Sequence, residues 1–101
     1  MKLRYTPAAI ADLEEIKSYI ADTLLTPDAA ANLMASIAAA CALLKDQPSL
    51  GPELRHKLHR EIDERFLIHK KYMIVYEVTD TVSILRVLDT RTDYMNILLH
   101  G

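Results

Sequence analysis

Glycine is nearly absent from this sequence: Gly51 and Gly101 are the only two in 101 residues. A phosphate-cradling loop needs several glycines so that backbone N–H groups can close on the anion, so nucleotide sites of that kind are excluded. Cysteine is scarcer still. Cys41 stands alone, cannot form an internal disulfide, and fits a reducing compartment. No apolar run approaches the ~20 residues that span a bilayer. The opening MKLRYTPAAIADLEE turns acidic at once, without the apolar stretch of a secretion signal. These absences predict a cytoplasmic protein with no membrane segment. Nor is there strong charge of either sign. The net charge is −2 and the pI about 6.0, well below the pI above about 9 of a dedicated nucleic-acid binder.

What is present is the composition of an ordinary globular domain, 50% hydrophobic and 26% charged. The length predicts one domain over residues 1–101. Charge is uneven along it. Residues 1–50 carry four Lys/Arg against six Asp/Glu, whereas residues 55–71 carry six Lys/Arg and three His against three acids. This basic stretch permits nucleic-acid contact without requiring it.

Leu3 and Tyr5 alternate with Arg4, a short strand signal. Thr6-Pro7 then places a capping hydroxyl before a proline at the first helical position, where its missing N–H costs nothing. Ile10, Leu13, Ile16 and Ile20 follow at helical spacing and predict the buried stripe, with Asp12, Glu14, Glu15 and Lys17 solvated. Thr26-Pro27 repeats the start signal. A second helix should run from there to about Lys45, ended by Gln47-Pro48 because a residue preceding proline avoids the α region. Its stripe is Leu33, Ile37, Cys41 and Leu44, and its alanines let a neighbour approach closely. The short connector, Asp22 to Thr26, predicts an antiparallel helical hairpin. After the PSLGP loop at 48–52 the period changes to two. Phe66/Ile68, then Tyr72/Ile74/Tyr76/Val78, then Val82/Ile84/Arg86/Leu88 alternate across polar turns. Asp93 could cap a last helical segment through Tyr94, Ile97 and Leu98. The expected fold is α+β: a short N-terminal strand, a two-helix antiparallel hairpin, an antiparallel β-meander and a short C-terminal helical segment.

Several possible chemistries fail on residue type. His56 and His59 lack a cysteine or third ligand to complete a zinc site, so neither a metal nor any other cofactor is expected. Cys41 falls on the apolar stripe and reads as a packed core thiol rather than a nucleophile. A denser polar set clusters on the sheet: Arg65 opens one strand, His69, Lys70 and Lys71 fill the turn to the next, Arg86 sits mid-strand, and Arg91 and Tyr94 follow that strand's end. RNA cleavage through the 2′-hydroxyl needs a proton acceptor, cations on the phosphate and a donor to the leaving oxygen, roles this set could fill. Composition favours the plainer reading of these residues as ordinary surface ion pairs, Arg86 with Glu77 or Asp89 and Arg91 with Asp93.

The segment YTPAAIADLEEIKSYI resembles the opening strand and first helix of the RelE/ParE superfamily, the toxins of type II toxin–antitoxin modules. KYMIVYEVTDTVSILRVLDTRTDY is similar to that family's YxIxYxV strand, turn, I-x-R-V-L strand and Arg-Asp tail. The resemblance spans nearly the whole chain. It implies a growth-inhibiting toxin held inactive by a cognate antitoxin in a hetero-oligomer, as in plasmid-stabilisation modules. Relatives of the RelE kind are ribosome-dependent mRNA endoribonucleases; those of the ParE kind inhibit DNA gyrase. Arg65, Arg91 and Tyr94 could match the nuclease positions. Thr92, however, stands where a second basic residue is common, and only Lys57 and Arg60 stand for a lysine pair. The mild charge and the VLDTRTDYMNIL ending lean toward gyrase. The alternatives are the nuclease and an inactive member that keeps only antitoxin binding. The Ala-rich second helix and the strand edges are the surfaces expected to meet a protein partner.

Overall fold

A computed structural model describes residues 1–54 and 64–100; His56, Lys57, His59 and Arg60 lie outside them. Strand β1 (Lys2–Tyr5) runs into helix α1 (Pro7–Ser18). The Thr6 hydroxyl caps α1 by accepting from the Ala9 N–H at 3.1 Å, and it donates to the Leu85 carbonyl at 2.9 Å. One residue thus starts the helix and fastens it to the sheet. The chain then loosens into a π-helical turn, Tyr19–Thr23. Helix α2 follows over Pro27–Asp46 and stops at Gln47, before Pro48.

Thr26 does not cap α2 as expected. Its hydroxyl and its N–H both donate to the Ile20 carbonyl, at 3.0 and 3.1 Å, an acceptor the wide π turn leaves open. Leu25 takes a left-handed conformation (φ 56°) to close the connector.

Strands β2 (Arg65–His69), β3 (Tyr72–Val78) and β4 (Thr81–Asp89) form the antiparallel meander, followed by helix α3 (Tyr94–His100). The sheet order is β1-β4-β3-β2. β1 lies parallel to β4, Leu3 opposite Val82 and Tyr5 opposite Ile84, so the sheet is mixed and its first and last strands are neighbours. The helical hairpin, followed by β2 and β3, makes up the long connection between this parallel pair.

β3 is buried on both faces from Tyr72 to Tyr76. Tyr72, Ile74 and Tyr76 join Ala9, Ile37, Cys41, Leu44, Val82, Ile84 and Val87 beneath the helices. Met73 and Val75 pack with Leu54 on the other face, covered by Phe66, Leu85, Tyr94 and Leu98. The expected face Val82/Ile84/Arg86/Leu88 breaks at Leu85. There the register skips one residue, Val75 facing Arg86 but Tyr76 facing Ile84. This bulge moves Val87 onto the helix side and leaves Leu88 paired with Met73.

In α1 the sheet-facing line is Ala9, Asp12, Leu13 and Ile16; Ile10 is rotated out and 46% exposed. Cys41 is fully buried beside the Tyr5 hydroxyl, and burial pushes both groups' pKa values up, as expected of a core thiol. Contrary to the sequence reading, the 20-residue α2 is by length and composition able to cross a bilayer, with a mean hydropathy of 1.4 over an 18-residue window. Eight alanines supply much of that value, and the helix lies along the sheet with Ala30, Ile37, Cys41 and Leu44 buried.

Candidate functional site

Two depressions flank α1. One is a cleft of about 610 Å³ between α1 with its π turn and the end of β4 with the β2–β3 turn. The other, about 380 Å³, runs between α1 and α2 and is lined by Tyr5, Ile10, Leu13, Met34, Ile37 and Ala38, with Glu14 and Lys17 at its rim. No described residue lines both. Helical geometry explains the division: Asp12, Glu15, Ile16 and Tyr19 fall on one flank of α1, and Ile10, Leu13, Glu14 and Lys17 on the other.

Strand register gathers the cleft's charges. Tyr72 pairs with Asp89, so the turn carrying Lys71 lies beside the end of β4, where Arg91 follows. The Lys71 carbonyl accepts from the Thr90 N–H at 2.8 Å and the Thr90 hydroxyl at 2.9 Å, tying the two segments together. Asp12 accepts from Arg86 Nε at 2.8 Å and Nη2 at 2.9 Å, and from the Val87 N–H at 2.9 Å. That hydrogen bonding raises the Arg86 pKa further. Asp12 is therefore not a solvated helix residue but the anchor of α1 on β4.

At the mouth, Arg91 holds Asp89 through Nε at 3.0 Å, Nη2 at 2.7 Å and its own N–H at 2.8 Å. These hydrogen bonds hold the Asp89 carboxyl down to a pKa of about 2. Lys71 Nζ stands 5.9 Å from the centre of the Tyr72 ring, whose hydroxyl is pushed up in pKa, chiefly by burial.

Of the six sequence candidates, Lys71, Arg86 and Arg91 line this cleft, and Arg65, His69 and Tyr94 do not. Arg65 Nη1 donates to the Gly51 carbonyl at 2.8 Å, with Glu53 at 3.8 Å. His69 Nε2 meets the Ser36 hydroxyl at 3.0 Å. Tyr94 packs on the second core. Arg86 pairs with Asp12 rather than with the expected Glu77 or Asp89, and Arg91 pairs with Asp89 rather than with the expected Asp93. Sequence reasoning missed Tyr19, Glu15, Asp22 and the role of Asp12. Asp12 was recoverable, since it stands three residues after buried Ala9 and four before Ile16. Among the described residues no group of three or more His, Cys, Asp or Glu could hold a metal.

The Asp89–Arg91 pair predicts an acid response. A carboxyl with a depressed pKa stabilises the fold fully above its ordinary value of 3.8 and loses that contribution as pH falls toward about 2. The stability difference between wild type and Asp89→Asn, from urea titrations, should be constant above about pH 4 and narrow below it. A difference unchanged down to pH 2 would refute this assignment.

The sequence profile of a family described as "ParE toxin of type II toxin-antitoxin system, parDE" matches residues 3–94. The chain belongs to the ParE toxin family. It is 33% identical over 97 residues to Y4kP, a candidate toxin of Sinorhizobium fredii, across 96% of each chain. A structure titled "Chromosomal ParDE TA system from P. aeruginosa" superposes with a TM-score of 0.73. It covers 88% of this chain and 95% of that one at 22% identity, a likeness of fold. ParE-family membership makes this chain the toxin of a type II module and implies an antitoxin partner.

Proposed function

We propose that this ParE-family toxin acts in the cytoplasm as a protein-binding inhibitor of DNA gyrase, through the end of β4 and the tail that follows. The observation that carries the reading is the charge of the cleft. Its described lining holds four carboxylates, Asp12, Glu15, Asp22 and Asp89, against three cations, Lys71, Arg86 and Arg91. Two of those cations are already paired internally. A site for mRNA gains affinity from cations left to meet phosphates, and this lining would repel a polyanion. The groups a nuclease would combine are also divided, with His69 and Tyr94 outside the cleft. Purified toxin in molar excess should block supercoiling of relaxed plasmid by gyrase. Undiminished supercoiling overturns the proposal, and cleaved mRNA during growth arrest would replace it with the nuclease reading.

The antitoxin, in this reading, covers the groove between α1 and α2, whose walls are apolar and whose Ile10 is half exposed. Removing such a face from water contributes roughly 25 cal/mol per Å² of apolar surface, against which the costs of association are set. Ile10→Lys should leave growth inhibition intact and abolish rescue by co-expressed antitoxin. Full rescue of Ile10→Lys would place the antitoxin elsewhere.

A further inference from the structure

The cleft has walls of opposite charge. Setting aside the internally paired Asp12–Arg86, the helix wall presents exposed Glu15 and Asp22. The sheet wall presents exposed Lys71 and the outer edge of Arg91, whose inner edge is paired with Asp89, so this wall keeps one net positive charge. Tyr19 stands on the helix side, 53% exposed. Arg91 is 68% exposed yet held by its two-point grip on Asp89, so little side-chain freedom remains to be lost on binding. Exposed tyrosine and arginine fixed beside a concave surface are the residue types that dominate protein interfaces.

We infer that this cleft docks a charged polypeptide segment of the toxin's target. A carboxylate of that segment lies against Lys71 and Arg91, and a basic residue faces Glu15 and Asp22. The inference rests on the gyrase reading and narrows it. Arg86 serves the fold through Asp12, Tyr94 serves the second core, and recognition falls to Tyr19, Lys71 and Arg91. Opposed charged walls suit a polypeptide carrying both signs and disfavour nucleic acid, which would meet Glu15 and Asp22 unfavourably.

The test measures affinity for purified gyrase with wild type, Tyr19→Ala, Lys71→Glu and the double variant Glu15→Lys/Asp22→Lys, with thermal melts alongside. Each variant should bind about tenfold more weakly or worse, as expected for residues near the centre of an interface. Lys71→Ala, which adds no charge beside Asp89, replaces Lys71→Glu where the latter melts early. If wild type binds and every variant stays within twofold of it, the cleft assignment falls while the gyrase reading stands. Tighter binding by Glu15→Lys/Asp22→Lys also overturns it, since that result marks a polyanionic ligand. A wild type that does not bind gyrase removes both.

Discussion

Gly51→Ala should cost this toxin about 3 kcal/mol, the upper end of the usual overpacking penalty and a large share of the roughly 5–15 kcal/mol that stabilises a typical domain. The reason is close approach rather than backbone conformation. A Cβ built on Gly51 would overlap the Phe66 carbonyl oxygen and lie 2.8 Å from the Tyr76 hydroxyl. The first obstacle is strand backbone and cannot rotate away. The displaced loop would also lose three hydrogen bonds. Gly51 N–H donates to the Tyr76 hydroxyl at 2.9 Å, that hydroxyl donates to the Pro48 carbonyl at 2.8 Å, and Arg65 donates to the Gly51 carbonyl at 2.8 Å. Urea unfolding by circular dichroism measures the change. Where Gly51→Ala does not fold, Tyr76→Phe isolates the hydroxyl and should cost about 2–3 kcal/mol, because it leaves a buried donor and an acceptor unpaired. A Gly51→Ala protein within about 0.5 kcal/mol of wild type, the range of neutral surface changes, would show that the loop gives way.

This loop also shows what a single sequence conveys. PSLGP reads as a loop because proline and glycine punctuate it. That its glycine must lie flat on β2 follows only from tertiary contact. The same division runs through the fold. Caps, breaks and period-two runs are local, so both helix starts, the end of α2 and the alternating strands of the meander follow from neighbouring residues. The parallel pairing of β1 with β4 joins positions 79 apart, such as Arg4 and Ser83, and no local pattern encodes it. The bulge at Leu85 is likewise silent, since VSILRVL alternates acceptably in either phase; what it changes is the face on which Val87 and Leu88 fall. In the site, Lys71 and Arg91 could be associated from sequence because a hairpin register places a turn beside a strand end. Their partners across the cleft, Tyr19, Glu15 and Asp22, come from a helix packed on that sheet at an angle set by Thr6 and Asp12. The charges that make the cleft selective were therefore half legible.

Asp12→Ala should be the other severe change. Asp12 and Arg86 are 12% and 28% exposed, so the pair is largely withdrawn from water. Removing the carboxylate strands the guanidinium and leaves the Val87 N–H without its acceptor. Breaking a buried pair from one side costs about 3–5 kcal/mol, and the partial exposure of Arg86 places this case near about 3. Asp12→Asn keeps an oxygen for Val87 N–H but turns an amide donor on the guanidinium, so its cost should be intermediate. The double variant Asp12→Leu/Arg86→Met removes both charges and should recover much of the loss, because replacing a whole buried pair by apolar groups is often close to neutral. If Asp12→Ala unfolds at the wild-type urea midpoint, the pair is not what holds α1 to β4. The functional consequence separates scaffold from surface. Loss of growth inhibition in Asp12→Ala should track the fraction unfolded and return with the double variant. Tyr19→Ala and Lys71→Ala should lose inhibition at full stability, since neither side chain helps to fasten α1 to β4.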